Sequence, residues 1–142
     1  MNDPARDVWM LMSDLVLDNT RRREVSEALG KSFGRVRAIR LLARRPMSMG
    51  ELATALGIDP PNATVVVSGL ESEGLVRRRP HPTDGRAKLV ETTRKGTTLA
   101  RRADAILATP PPALSALPPE DLAALRRILA YTSDSERGGS PT

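Results

Sequence analysis

The chain has 142 residues, 39% hydrophobic and 27% charged, with a net charge of +5 and a pI of about 10.6. It contains no cysteine and only one each of Trp, Tyr, Phe and His, which excludes a disulfide framework and thiolate chemistry and leaves a core of Leu, Val, Ile, Ala and Met. Such a core favours packed helices. No apolar run is long enough to cross a bilayer, and the acidic start Met-Asn-Asp-Pro lacks the features of a signal peptide, so a cytoplasmic protein of one domain is the default.

Residues 5–18 read as an amphipathic helix, with Val8, Leu11, Met12, Leu15 and Val16 at three- and four-residue steps and Asp7, Asp14 and Asp18 facing away. Trp9, Met10 and Met12 at that spacing read as packing residues rather than as a ligand pocket. A second helical region runs from about 21 to 44, turning Val25, Ala28, Leu29, Phe33, Val36, Ile39 and Leu42 inward. Gly30 and Gly34 are its candidate breaks, since each costs about 1 kcal/mol relative to Ala inside a helix. Pro46 marks its end. Ser48 and Glu51 have capping-box spacing, and the short helix they open ends at Gly57. Asp59-Pro60 opens another, with Asp as N-cap and Pro where no amide hydrogen is needed; it runs to about Glu73. Two short helices across a Gly-containing turn form a helix-turn-helix.

At 100° per residue, Ala63, Val66, Val67 and Leu70 of the second helix face inward. The opposite face presents Pro61, Asn62, Val65, Ser68, Gly69 and Ser72, with Thr64 at its margin. It is small, polar or bare, and uncharged. Such a surface suits a DNA major groove, where hydrogen-bonding side chains read base edges and Val65 can meet a thymine methyl. Gly69 is expected to let a phosphate backbone come close.

After Gly74, "LVRRR" and "AKLVETT" read as two strands around "PHPTDG", a ribbon packed as a wing. Asp-Gly favours a tight turn in which Gly takes positive φ. Arg86 at the tip suits the narrow minor groove, and Asp84 is expected to pair with it. His81, the only histidine, is expected to be solvent-exposed or to touch a phosphate. A helix resumes from Thr93 through Leu99, Ala103, Ile106 and Leu107, with Arg94, Lys95, Arg101 and Arg102 exposed. Prolines in "ATPPPALSALPPE" interrupt it. A last helix after Pro119 carries Leu122, Leu125, Ile128 and Leu129 on one stripe, which is expected to pair with the stripe of residues 5–18 within and across subunits. "TSDSERGGSPT" has no apolar pattern and reads as disordered.

Positive charge lies in two blocks. Residues 21–45 hold nine Lys/Arg against Glu24 and Glu27, and residues 77–102 hold nine against Asp84 and Glu91. The remainder has 4 basic and 13 acidic residues. Blocks of this kind are the footprint of a polyanion partner.

At these residues the sequence resembles the MarR family of winged-helix transcription regulators. The matching stretches are "MGELATALGI", "PPNATVVVSGLESEGLVRR", "PHPTDGRA" and "TRKG". Asp84-Gly85-Arg86 matches the family's Asp-x-Arg wing motif, and Gly74-Leu75-Val76-Arg77-Arg78 its junction before the wing. The resemblance is strong over about 48–96. It implies a mainly α fold with a small β-wing, in which a winged helix-turn-helix (46–96) lies between N-terminal helices (5–45) and C-terminal dimerisation helices (97–131), followed by a disordered tail (132–142). It implies a homodimer on palindromic double-stranded DNA, repressing by occupancy and released by a small, often phenolic or otherwise lipophilic, ligand, with no cofactor. Carried over by position, Asn62 and Thr64 are base readers beside Pro61 and Val65. Ser68 is a base or phosphate contact, and Arg86 is the minor-groove finger beside Asp84 and Lys88. Val65 and Gly69 stand where relatives often carry a basic residue; the Arg77–Arg79 run, with Arg77 and Arg78 nearest the helix, supplies charge in their place. Thr92 stands where the family's wing usually ends in leucine.

One histidine between two prolines builds neither a zinc site nor a catalytic triad, and no phosphate-cradling Gly-rich loop is present. An enzyme is therefore not expected. The reading from a different class is a winged helix used as a protein-interaction module, distinguished by insensitivity to salt.

Overall fold

The computed structural model describes residues 2–18 and 20–138. In chain order the elements are α1 (Pro4–Leu17), α2 (Arg21–Leu29), α3 (Phe33–Arg44), β1 (Met47–Ser48), α4 (Met49–Leu56), α5 (Pro60–Ser72), β2 (Val76–Pro80), β3 (Lys88–Thr92), α6 (Arg94–Leu107), α7 (Pro112–Ser115) and α8 (Pro119–Gly138). They fall into two compact units that divide between Thr109 and Pro110, a boundary inside what the sequence suggested as one domain. Among the described residues no helix is long and apolar enough to cross a membrane.

Local hydrogen bonds set most boundaries. The Asp3 carboxylate accepts from the amides of Ala5 and Arg6 at 3.1 and 3.2 Å and starts α1. The helical run expected over 21–44 is two helices, because Gly30 takes φ +65° and closes α2, a conformation with little cost only for glycine. Ser32 then caps α3, while Gly34 lies inside its first turn. Ser48 Oγ accepts from the Glu51 amide at 3.1 Å and starts α4. Asp59 caps α5 through the Asn62 amide at 2.8 Å, with proline at the first helical position.

One apolar cluster joins α3, α4, α5, the sheet and α6. Ile39, Leu42, Leu52, Val67, Leu70, Leu75 and Val90 at its centre are at most 2% exposed, and burying each contributes about 1.5–3 kcal/mol. Val25, Leu29, Val36 and Ala103 tie α2 to α3 and α6.

The wing is more than the expected two-stranded ribbon. β1 pairs antiparallel with β3 (Met47 opposite Val90), and β3 with β2 (Arg78 opposite Val90), in the order β1-β3-β2. The third strand gives the ribbon the support that two strands alone lack. At the wing's base, a Cβ on Gly96 would lie 1.9 Å from the Leu75 carbonyl oxygen, so only glycine permits α6 to approach there. Thr93 completes the joint. Its N–H donates to Leu75 O at 3.0 Å, and its hydroxyl donates to Gly74 O at 2.6 Å and accepts from the Gly96 amide at 3.1 Å.

In the second unit, α8 continues to Gly138. Residues 132–138, expected to be disordered, are instead its exposed last turns, where the hydroxyls of Thr132 and Ser135 bond carbonyls four residues back. Propagating an existing helix needs no new apolar face. Residues 139–142 of the expected tail lie outside the described residues.

Candidate nucleic-acid interface

α5 buries Ala63, Val67 and Leu70 and leaves Pro61, Asn62, Thr64, Val65, Ser68 and Ser72 exposed. Val65 is 63% exposed. Local bonds hold the first turn: Asn62 Nδ2 donates to Asp59 Oδ2 at 3.0 Å, and Thr64 Oγ1 donates to Pro60 O at 3.1 Å. Ser68 Oγ accepts from Arg78 Nη2 at 3.2 Å, so the run after Gly74 reaches back to the helix.

The turn between β2 and β3 departs from the sequence reading in three ways. Ala87 N–H donates to Asp84 O at 3.1 Å, making Asp84–Ala87 a β-turn, but Gly85 is not among the glycines with positive φ. Asp at the first position of a common turn suffices, because that turn needs no left-handed residue. Asp84 does not grip the Arg86 guanidinium as expected; its carboxylate accepts the Arg86 backbone N–H at 3.1 Å. It shapes the turn and leaves the Arg86 side chain outside any ion pair among the described residues. His81, expected to be solvent-exposed or to touch a phosphate, is half-buried. Its Nδ1 accepts the amides of Thr83 and Asp84, both at 3.2 Å, which requires that nitrogen to be unprotonated.

The two basic blocks prove to be different. In the first, Arg21 pairs with Glu24, Lys31 with Glu73, Arg40 with Asp104 and Arg45 with Glu51. Arg22 stacks over Phe33 at 4.7 Å, and Arg37 caps α4 through the carbonyls of Ala55 and Leu56. Most of this block is structural. In the second, Glu91 binds Arg77 and Arg79 at 2.8 Å each, while Arg86, Lys88, Arg94, Arg101 and Arg102 have no carboxylate partner among the described residues. Burial pushes the Glu91 carboxyl up, but hydrogen bonds from Arg79 and Arg77 outweigh it and leave it below its ordinary value of 4.5. The Lys31 hydrogen bond, helped by the charges of Lys31 and Arg35, likewise holds Glu73 below 4.5.

Gly69 also departs from expectation. The space a Cβ would fill holds the Arg35 guanidinium, its atoms 2.6–3.1 Å away, so the missing side chain admits an arginine of α3. Sequence reasoning missed Arg35; the glycine was the only local signal, and it was assigned to DNA. An open cleft of about 990 Å³ lies beside the end of α5, lined by Lys31, Arg94, Lys95 and Arg102 together with Glu73, over Leu75 and Leu99. Among the described residues no group of His, Cys, Asp or Glu could hold a metal ion.

A helix-turn-helix followed directly by an antiparallel sheet with an arginine-tipped turn defines a winged-helix protein. The MarR family model matches residues 30–87. A helix-turn-helix-type transcriptional regulator of Mycobacterium leprae, ML2140, is 37% identical over 73 residues, 51% of each chain, so the chain spans about half the length of the curated relatives it matches. Among solved structures, RV1404 of Mycobacterium tuberculosis superposes with a TM-score of 0.73 at 23% identity, covering 100% of this chain and 99% of that one. The transcriptional regulator BldR of Sulfolobus solfataricus superposes with a TM-score of 0.63 at 26% identity, covering 92% and 99%. Over residues 30–87 the chain is similar to the MarR family.

Proposed function

We propose that this chain is a sequence-specific DNA-binding transcription regulator, working as a homodimer that represses by occupying a palindromic operator. The observation that carries the reading is the exposed, uncharged face of α5 (Pro61, Asn62, Thr64, Val65 and Ser68) beside a turn whose Arg86 and Lys88 lack carboxylate partners. Charged side chains there would have to be desolvated against base edges; small polar ones need not be. In this reading Asn62, Thr64 and Ser68 read bases, Val65 meets a thymine methyl, Arg86 enters the minor groove, and Arg77, Arg78 and Lys88 contact the backbone. Asp84 acts by shaping the turn.

Pairing is supported by α1, which buries no residue and leaves Trp9, Leu11, Leu15 and Val16 65–67% exposed. Leaving such a patch in water is unfavourable, and a second copy is the simplest cover. The cationic cleft with its apolar floor suits a small anionic, partly lipophilic effector. Relatives named as transcriptional regulators support the same class of function.

The test is selection of bound sequences from a random DNA pool. A palindrome with half-sites about one helical turn apart is expected. Enrichment of no sequence, together with capture of a protein partner insensitive to salt, would favour the protein-interaction reading.

A further inference from the structure

We infer that Arg35 of α3 is a DNA-phosphate contact which, with Arg78 of β2, brackets the uncharged recognition helix and supplies the cationic grip the helix lacks. The inference rests on the DNA-binding reading above and adds a residue to it.

The two guanidinium groups lie on opposite flanks of α5. By helical angle, residues 68 and 71 fall on one flank and residues 69 and 73 on the other. Arg78 touches the first flank, at Ser68 Oγ (3.2 Å) and Glu71 (3.6 Å). Arg35 touches the second, over Gly69 and 3.8 Å from Glu73. Between them runs the face of Pro61, Val65, Ser68 and Ser72. A helix lying in the major groove has a phosphate strand along each flank, which is where these cations stand.

Arg35 is also chemically available. Its side chain makes no hydrogen bond among the described residues, and its one acidic neighbour, Glu73, is already hydrogen-bonded by Lys31. All five N–H donors of the guanidinium therefore remain open to an acceptor. Arg78 donates one N–H from Nη2 to Ser68 Oγ, and its Nε is buried without a hydrogen-bond partner, so the other N–H groups of Nη1 and Nη2 are the ones left for an acceptor. A phosphate oxygen is a stronger acceptor for such a fork than a carboxylate at 3.6–3.8 Å. Glu71 and Glu73 hold the arginines in place until DNA arrives. Gly69 keeps the seat open, since an Ala Cβ would meet the guanidinium at 2.6 Å. The obstruction is the end of a flexible side chain, so Gly69→Ala displaces Arg35 without disturbing the fold.

The experiment titrates full-length wild type, Arg35→Ala, Gly69→Ala and the double variant with salt on a mixed-sequence duplex DNA pool, with thermal melting as the fold control. Each lost phosphate contact lowers the slope of log affinity against log salt by about 0.9, hence by about 1.8 for a dimer. Arg35→Ala and Gly69→Ala are both expected to show this flattening and about a tenfold loss of affinity at moderate salt. Gly69→Ala is expected to add nothing in the Arg35→Ala background. An unchanged slope in Arg35→Ala, with steep binding by the wild type, would overturn the inference and leave the DNA reading intact. A full additional loss from Gly69→Ala in the double variant would mean that the glycine serves the DNA itself, and would also overturn it. No binding by the wild type at any salt would remove the DNA reading on which the inference stands.

Discussion

Replacing Gly96 by alanine tests the wing's attachment through one methyl group. The added carbon would sit 1.9 Å from Leu75 O, 2.9 Å from Leu75 C and 3.3 Å from Thr92 Cβ. An ordinary carbon–oxygen contact is about 3.3 Å or more, so wing and α6 must separate by over about 1 Å. The obstruction is backbone, and no rotamer change relieves it. Overpacking of this kind costs about 1–3 kcal/mol. The separation also stretches the Thr93 bonds to Leu75 O and Gly74 O, each worth about 0.5–1.5 kcal/mol. Improved helix propensity offsets about 1 kcal/mol. The net is a destabilisation of about 1–5 kcal/mol, or on the order of 10 °C in Tm for a domain of this size. Urea unfolding and thermal melting read it directly. Gly34→Ala is the control: nothing lies within 4 Å of the added carbon and its φ is not positive, so it should leave stability equal or raise it by up to about 1 kcal/mol. A Gly96→Ala protein as stable as Gly34→Ala would refute the close approach.

Arg86→Ala should weaken binding to a selected operator by at least about tenfold, without changing Tm or oligomeric state; electrophoretic mobility shift and melting read the two, and unchanged binding removes the wing tip from the mechanism. Leu15→Glu on the bare stripe of α1 should shift the protein to monomer in analytical ultracentrifugation, and a persistent dimer would move the interface elsewhere. Acid should loosen the wing. The carboxyls of Glu73 and Glu91 are held below 4.5, so their stabilisation is full above the unfolded value and is lost as pH falls through the lower folded one. Glu91→Gln should therefore show a shallower loss of stability than wild type between pH 4.5 and stronger acid in denaturant titrations. Parallel curves would mean that the Arg77 and Arg79 pairs contribute nothing.

What could be read from the sequence was what neighbouring residues decide. Ser48 with Glu51, and Asp59 with Pro60, announce helix starts because each cap bonds an amide within three residues. The inward face of α5 follows from period alone. What could not be read depends on partners far along the chain. β1 is two residues long and exists because Val90 and Leu89 pair with it, so it has no pattern of its own. The block 21–45 resembled a nucleic-acid footprint because Glu73, 42 residues from Lys31, and Asp104, 64 residues from Arg40, are invisible as neighbours in one dimension. Gly69 was legible as a place of close approach, but not what approaches it. At the wing tip the acid and the arginine were visible while their bond was misassigned, since Asp84 prefers the nearer backbone N–H to the guanidinium.

In the proposed complex, base edges meet an uncharged helix while guanidinium groups around it hold the phosphates. The most direct measurement is the affinity of the wild-type protein for duplex DNA across a salt series, by fluorescence anisotropy. A straight line of log affinity against log salt is expected, steep enough for several phosphate contacts at about 0.9 each. A flat line, or no binding in dilute buffer, would contradict it.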